Sequence, residues 1–92
     1  METNEVSQHQ VLVFRCMKGC GWLTGAEIAK KSGVVPRTVR AHLLKLVNLG
    51  LLDVAEVFPA HRYRISEKAE KRNASYIKRL DAAAEVFGLS VA

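Results

Sequence analysis

The sequence predicts one small α+β domain, mainly α-helical with a single β-hairpin, in the order helix, helix, helix, strand, strand, helix. Three observations predict it. Apolar residues recur at helical spacing in four separate stretches. Strong stop and start signals separate the second and third stretches by only a few residues. Between residues 51 and 65 the period changes from 3.6 to 2. A chain of 92 residues, 49% of them hydrophobic, is long enough for one modest core and is expected to form one domain over 1–92.

The first helix is expected over 6–18. Leu12, Val13, Cys16 and Met17 share one side with His9, and Val11 and Phe14 widen the apolar sector. The run Val11-Leu12-Val13-Phe14 could also be a strand. Helix is preferred, because the flanking residues do not alternate and no strand partner is obvious. Gly19 and Gly21 end it.

Thr24-Gly25-Ala26-Glu27 has the form of a capping box, in which hydroxyl and carboxylate satisfy each other's exposed backbone donors. It starts a short second helix over 25–32, with Leu23 placed to pack on Ile28 as a staple and Ser32-Gly33 as the stop. Val34-Val35 lead directly into a third helix over 36–49. Pro36 suits its first position, where a fixed φ helps and a missing N–H costs little. Gly50 suits its end. Two helices joined by so short a turn form a helix-turn-helix, the first bracing the second.

Within 36–49, Val39, Leu43, Leu46 and Val47 fall on one face, and Arg37, Ala41, Leu44, Lys45 and Asn48 point the other way. Arg40 and Thr38 flank that outer face. A helix with an apolar side for docking and a basic side with a small residue near its middle can enter the DNA major groove. Exposed Arg and Lys are common on any surface, so the helix alone does not decide the matter. Its neighbours do.

After Gly50, Leu52 and Val54 alternate with Asp53 and Ala55, and Tyr63 and Ile65 alternate with Arg62 and Arg64. The turn Phe58-Pro59-Ala60-His61 lies between them, which makes 51–65 a hairpin, with its first strand over Leu51–Val57. Ser66 is placed to cap a last helix over 66–87, with Glu67 and Glu70 in its first turn. Ala69, Asn73, Tyr76, Ile77, Leu80, Ala84 and Phe87 line one side of it.

The net charge of +5 is uneven. Residues 36–65 hold five Lys/Arg against two acids, residues 1–35 four against three, and residues 66–92 five against four. The excess sits on the third helix and the hairpin, which favours nucleic acid or another polyanion as partner. No apolar run approaches a membrane span and no signal-peptide pattern opens the chain, so a cytoplasmic protein is expected.

Three stretches resemble the winged helix-turn-helix superfamily. Thr24…Glu27-Ile28-Ala29-Lys30-Lys31-Ser32-Gly33 is similar to its bracing helix. Pro36-Arg37-Thr38-Val39-Arg40-Ala41-His42-Leu43-Leu44-Lys45-Leu46…Leu49-Gly50-Leu51-Leu52 is similar to the recognition helix and first wing strand of bacterial regulators of the MarR, ArsR and IclR kinds. Tyr63-Arg64-Ile65-Ser66-Glu67-Lys68-Ala69 is similar to their second wing strand and the turn into the next helix. The resemblance spans residues 8–75. It implies sequence-specific binding of double-stranded DNA by a transcriptional regulator, usually as a repressor occupying an operator. By position, Arg37, Thr38, Ala41 and Lys45, next to Pro36, would face base edges. Arg40 and Asn48 would lie nearer phosphates, and His61, Arg62 and Arg64 would belong to the wing. Leu44 either meets a thymine methyl or packs at the domain edge, and the latter is preferred. An origin, excision or partition protein would use the same residues. A winged-helix module that binds another protein is the alternative from a different class.

Other chemistry finds little support. Cys16 and Cys20 are too few for a zinc site, and His9, His42 and His61 lie in different elements. A thiol sensor would need positive charge near a cysteine, and Lys18 is the candidate source. Ordinary thiols are the expectation. No nucleophilic triad or phosphate-cradling glycine loop is recognisable, so neither enzymatic activity, cofactor nor metal is expected. No extra domain for a small-molecule effector is evident. The stripe on the last helix, with Tyr76, Ile77, Leu80 and Phe87, must be buried against the first helix or a second copy. A homodimer through these helices is expected, as for many two-fold helix-turn-helix proteins.

Overall fold

The computed structural model describes residues 7–88, and the spacing of apolar residues there resolves into four helices around a three-stranded sheet. Val6, the expected start of the first helix, lies outside the described residues, with the rest of 1–6 and 89–92. Helix α1 spans Gln8–Cys16, and the side chain of Ser7 caps it by accepting from Gln10 N at 3.1 Å. Strand β1 is the two-residue Leu23–Thr24. Helix α2 spans Gly25–Ser32 with the expected capping box, in which Thr24 N donates to Glu27 Oε1 (2.8 Å) and Glu27 N donates to Thr24 Oγ1 (3.2 Å). Helix α3 spans Pro36–Asn48 with Pro36 in its first turn. Strands β2 (Leu52–Ala55) and β3 (Arg62–Ile65) form the hairpin, and α4 spans Ala69–Val86.

The sheet order is β1-β3-β2, antiparallel throughout. Leu23 pairs with Tyr63, Tyr63 with Val54, and Leu52 with Ile65. The third strand, β1, has no counterpart in the sequence reading, since two residues are too short to show alternation. Strand β2 is shorter than expected. Leu51 stays outside it, donating to Leu46 O (3.1 Å) and accepting from Ser66 N (2.9 Å). Val57 leaves it by donating to Ala55 O (3.1 Å).

Helix α4 packs on α1 in the same chain. The core joins Val11, Val13, Phe14 and Met17 of α1, Ile28 of α2, Val39, Leu43 and Leu46 of α3, Leu51 and Leu52, and Tyr76, Leu80 and Ala84 of α4. Four expectations need correction. His9 is exposed, because the buried side of α1 is centred on Gln10, Val13, Phe14 and Met17 instead. Ser66 does not cap α4 directly. Its hydroxyl accepts from Lys68 N (3.0 Å) and its carbonyl from Ala69 N (3.1 Å), a turn that delays the helix to Ala69. Asn73 does not extend the apolar stripe but breaks α4, with φ −157° and ψ 63°. Tyr76 and Leu80, expected in a dimer face, are 7% and 1% exposed and belong to the chain's own core.

Candidate nucleic-acid interface

Val39, Leu43 and Leu46 are buried, which orients α3 by its apolar face and turns the opposite face outward. Pro36, Arg37, Arg40, Ala41, Lys45 and Asn48 are exposed, and Thr38 is half-buried. Seven of the sites inferred for this helix therefore share one continuous surface. Leu44 joins them at 63% exposure, against the preferred reading of domain-edge packing. Ala41 is the small residue between Arg37 and Lys45 on this surface. Among the described residues no ion pair engages Arg37, Arg40 or Lys45.

The wing stands beside the N-terminal half of α3. A groove of about 560 Å³ separates them, with Pro36 and Arg40 on one wall and Pro59, Ala60 and His61 on the other. Val39, Leu43 and Tyr63 also line it. Residues 56–62 are exposed throughout, and His61 is available beside the helix. Arg62 is exposed on the face of β3 opposite Tyr63.

Arg64 is placed differently. It lies on the same sheet face as Arg62, because side chains alternate along β3. There its Nε donates to Asp53 Oδ2 at 3.1 Å and its guanidinium stacks 4.5 Å over the Trp22 ring. Arg72 approaches the same carboxylate, Nη1 to Oδ1, at 3.9 Å. This cluster ties β2, β3 and the start of α4 together and removes Arg64 from the free cations of the wing. The sequence could not show it, since register between β2 and β3 sets which acid faces Arg64.

Behind α3 lies a polar relay that sequence reasoning missed. Gln10 is 2% exposed. Its Oε1 accepts from the Tyr76 hydroxyl, and its Nε2 lies 3.5 Å from His42 Nδ1. Burial lowers the His42 pKa, and the neighbouring His9 and Lys45 add to that. Burial raises that of Tyr76, which Arg79 and the Gln10 hydrogen bond oppose. Both groups are therefore neutral near pH 7, and α1, α3 and α4 are joined without a buried charge. The only signal in the sequence was a glutamine inside an apolar helix sector.

The cysteines lie away from this surface. Burial pushes the Cys16 thiol up, against the influence of Lys31, opposite to what a reactive thiolate requires. Lys18, the candidate source of charge, instead faces Asp81 at 3.9 Å and the Phe14 ring at 5.8 Å. Among the described residues no group of His, Cys, Asp and Glu is arranged to hold a metal ion, and no helix is long and apolar enough to cross a membrane.

No family model matches the chain, and no curated protein matches it. Solved structures do match. BpsR of Bordetella bronchiseptica, whose DNA binding is regulated by 6-hydroxynicotinic acid, superposes with a TM-score of 0.65 at 12% identity, over 90% of this chain and 67% of that one. A MarR family protein from Bacillus stearothermophilus gives 0.60 at 23% identity, over 89% and 59%. Sso10a-2, a DNA-binding protein from Sulfolobus solfataricus, gives 0.61 at 12% identity, over 90% and 87%. The chain thus has the winged helix-turn-helix fold that MarR-family transcription regulators share. It spans 59% of the length of the Bacillus protein.

Proposed function

We propose that the chain binds double-stranded DNA sequence-specifically as a small transcriptional regulator, with α3 in the major groove and the wing on the flanking backbone or minor groove. The observation that carries this is the outer face of α3: Arg37, Arg40 and Lys45 exposed around Ala41, beside an exposed wing carrying His61 and Arg62. Arg37 and Lys45 are the base-reading candidates, with Thr38 and Ala41 between them. Arg40, Asn48, His61 and Arg62 hold phosphates. Repression by operator occupancy in the cytoplasm is the simplest mode of action. The reading involves no catalytic step, cofactor, metal or effector.

The test is selection of the purified protein against a random duplex pool, with Arg37→Ala alongside. Enrichment of a site that weakens in the mutant by about 1–3 kcal/mol of discrimination at one base pair supports readout by α3. Steeply salt-dependent binding that enriches nothing means backbone contact alone. Failure to bind at low salt removes the reading.

One observation favours a second reading. Leu44, 63% exposed on the outer face of α3, is the kind of residue a protein-binding face would show, and absence of DNA binding would leave that module. Homodimerisation is a separate part of the proposal. With Tyr76 and Leu80 buried in the chain's own core, the residues of the stripe left for it are Phe87, 38% exposed beside Val86 at 80%, and the half-buried Ile77 in the middle of α4. A monomer in sedimentation at tens of micromolar protein would remove this part.

A further inference from the structure

We infer that the tip of the wing is an apolar wedge, with Phe58 entering the minor groove next to the α3 site and parting a base step there. The inference rests on the DNA-binding reading, and its test separates the two.

Phe58 is 95% exposed, more than any other large apolar side chain among the described residues, and Val57 beside it is 45% exposed. A phenylalanine left in water forfeits the burial that normally places it inside. Phe58 is not a core residue lost from the sheet. The ladder ends at Ala55 and Arg62, and the inward position of the wing is held by Tyr63, which lines the groove against α3.

The place of the tip argues for its partner. Pro59, Ala60 and His61 face Pro36 and Arg40 across one groove, so whatever occupies the outer face of α3 is within reach of the loop that carries Phe58. The charge agrees. Residues 36–65 contain two acids, Asp53 and Glu56. Asp53 is taken up by Arg64 and Arg72, which leaves Glu56 against Arg37, Arg40, Lys45 and Arg62. An apolar side chain on a loop that faces the basic helix α3 suits a polyanion that offers an apolar slot between its charged ridges. A DNA duplex does so at its base steps, and Phe is among the side chains that wedge minor-groove steps apart.

The wedge adds selectivity that α3 does not supply. A parted step costs least at flexible pyrimidine–purine sequences such as TA and CA. The selected site should therefore carry such a step outside the base pairs read by α3, and the duplex should bend there.

The experiment uses the duplex recovered by selection, with 2-aminopurine placed in turn at each step flanking the α3 site. Wild type, Phe58→Ala and Phe58→Leu are compared at fixed salt. Wild type is expected to raise the fluorescence at one flanking step. Phe58→Ala should abolish that rise and weaken binding about ten-fold, in the range of base–aromatic contacts, with the salt slope unchanged. Phe58→Leu should retain part of both. Tight binding by wild type with no fluorescence change at any flanking step overturns the wedge and leaves the DNA-binding reading intact, whatever affinity Phe58→Ala shows. Absence of any duplex binding by wild type overturns both.

Discussion

Replacing Asn73 with alanine tests why α4 breaks where it does. The Asn73 backbone is outside the helical region, and its side chain makes three hydrogen bonds. Its Oδ1 accepts from Tyr76 N (3.3 Å) and Ser75 Oγ (3.2 Å), and its Nδ2 donates to Leu49 O (3.3 Å). The first is an N-cap contact for the longer part of α4. The last satisfies the carbonyl at the end of α3. Asn73→Ala removes all three. Loss of an N-cap costs about 0.5–2 kcal/mol, and loss of the bond to a half-buried carbonyl about 0.5–1.5 kcal/mol. Alanine's better helix propensity returns at most about 0.7 kcal/mol, and only if residue 73 becomes helical. That would swing Tyr76 and Leu80 out of register with the core. The net loss is about 1–3 kcal/mol, and a domain of this size loses about 4–8 °C of Tm per kcal/mol.

Thermal and urea unfolding followed by circular dichroism give the answer. Asn73→Ser is the companion variant, since it keeps a capping oxygen for Tyr76 N and loses the donor to Leu49. It should lose roughly half as much as alanine, following the hydrogen-bond magnitudes above. A Tm for Asn73→Ala at or above wild type, with an unchanged urea slope, would refute the argument that the side chain holds the break.

Three further outcomes are expected. Tyr76→Phe leaves Gln10 Oε1, in a residue 2% exposed, without its donor, and should cost about 1–3 kcal/mol in urea unfolding. Gly50→Ala places a Cβ 3.2 Å from Arg72 Cβ at φ +84°, and the left-handed backbone alone should cost about 1–2 kcal/mol, read as a lower denaturation midpoint. The third concerns pH. Burial holds the folded His42 pKa below its unfolded value of about 6.5, so the unfolded chain takes up the proton first. Stability from this source is complete above that value and falls as pH drops towards the folded pKa. Cys16 and Tyr76 are raised, so their contributions are complete at neutral pH and fall at alkaline pH, above their ordinary values of 9.0 and 10.0 respectively. Melting from pH 7 to 5 should fall more steeply for wild type than for His42→Gln, and equal slopes would count against this assignment.

The parts of the fold that were legible in the sequence are those fixed by neighbours in the chain. Thr24 and Glu27 cap α2 across one turn, Gly33 adopts φ +75° to end it, and Pro36 starts α3. Each needs only the few residues around it. The alternation of Tyr63 and Ile65 with Arg62 and Arg64 likewise set the wing strand. What was not legible depends on partners distant in sequence. Strand β1 exists because Leu23 and Thr24 meet Tyr63 and Arg62. The break at Asn73 depends on Leu49 O, at the end of another helix. Within the candidate site, spacing placed Arg37, Ala41 and Lys45 on one exposed face. Spacing put Leu44 there too, and the preference for domain-edge packing failed because a leucine beside a basic face fits either side until its neighbours are known. Spacing also left Arg64 among the wing cations, because the register that brings Asp53 opposite is a property of the folded hairpin. Phe58 read as an ordinary turn residue, since a turn pattern does not reveal how far its tip stands from the core.

The charge distribution gains its direction from these long-range contacts. Composition alone assigns five cations to residues 36–65 and spreads them over a helix and a hairpin. In the folded chain, Asp53 draws Arg64 and Arg72 to the outer face of the sheet, away from the groove beside α3. The cations left without a described acidic partner are Arg37, Arg40, Lys45 and Arg62, on α3 and the wing strand. Three of these four therefore sit together on the exposed side of α3, while Arg62 shares the sheet face of Arg64. Meanwhile the Gln10–His42 contact and the Asn73–Leu49 bond tie the buried side and the end of α3 to α1 and α4. A helix held on its buried side by such bonds, and by Val39, Leu43 and Leu46, loses little backbone freedom when its outer face meets a partner. Pre-organisation of that kind leaves more of the contact energy available for discrimination between partners.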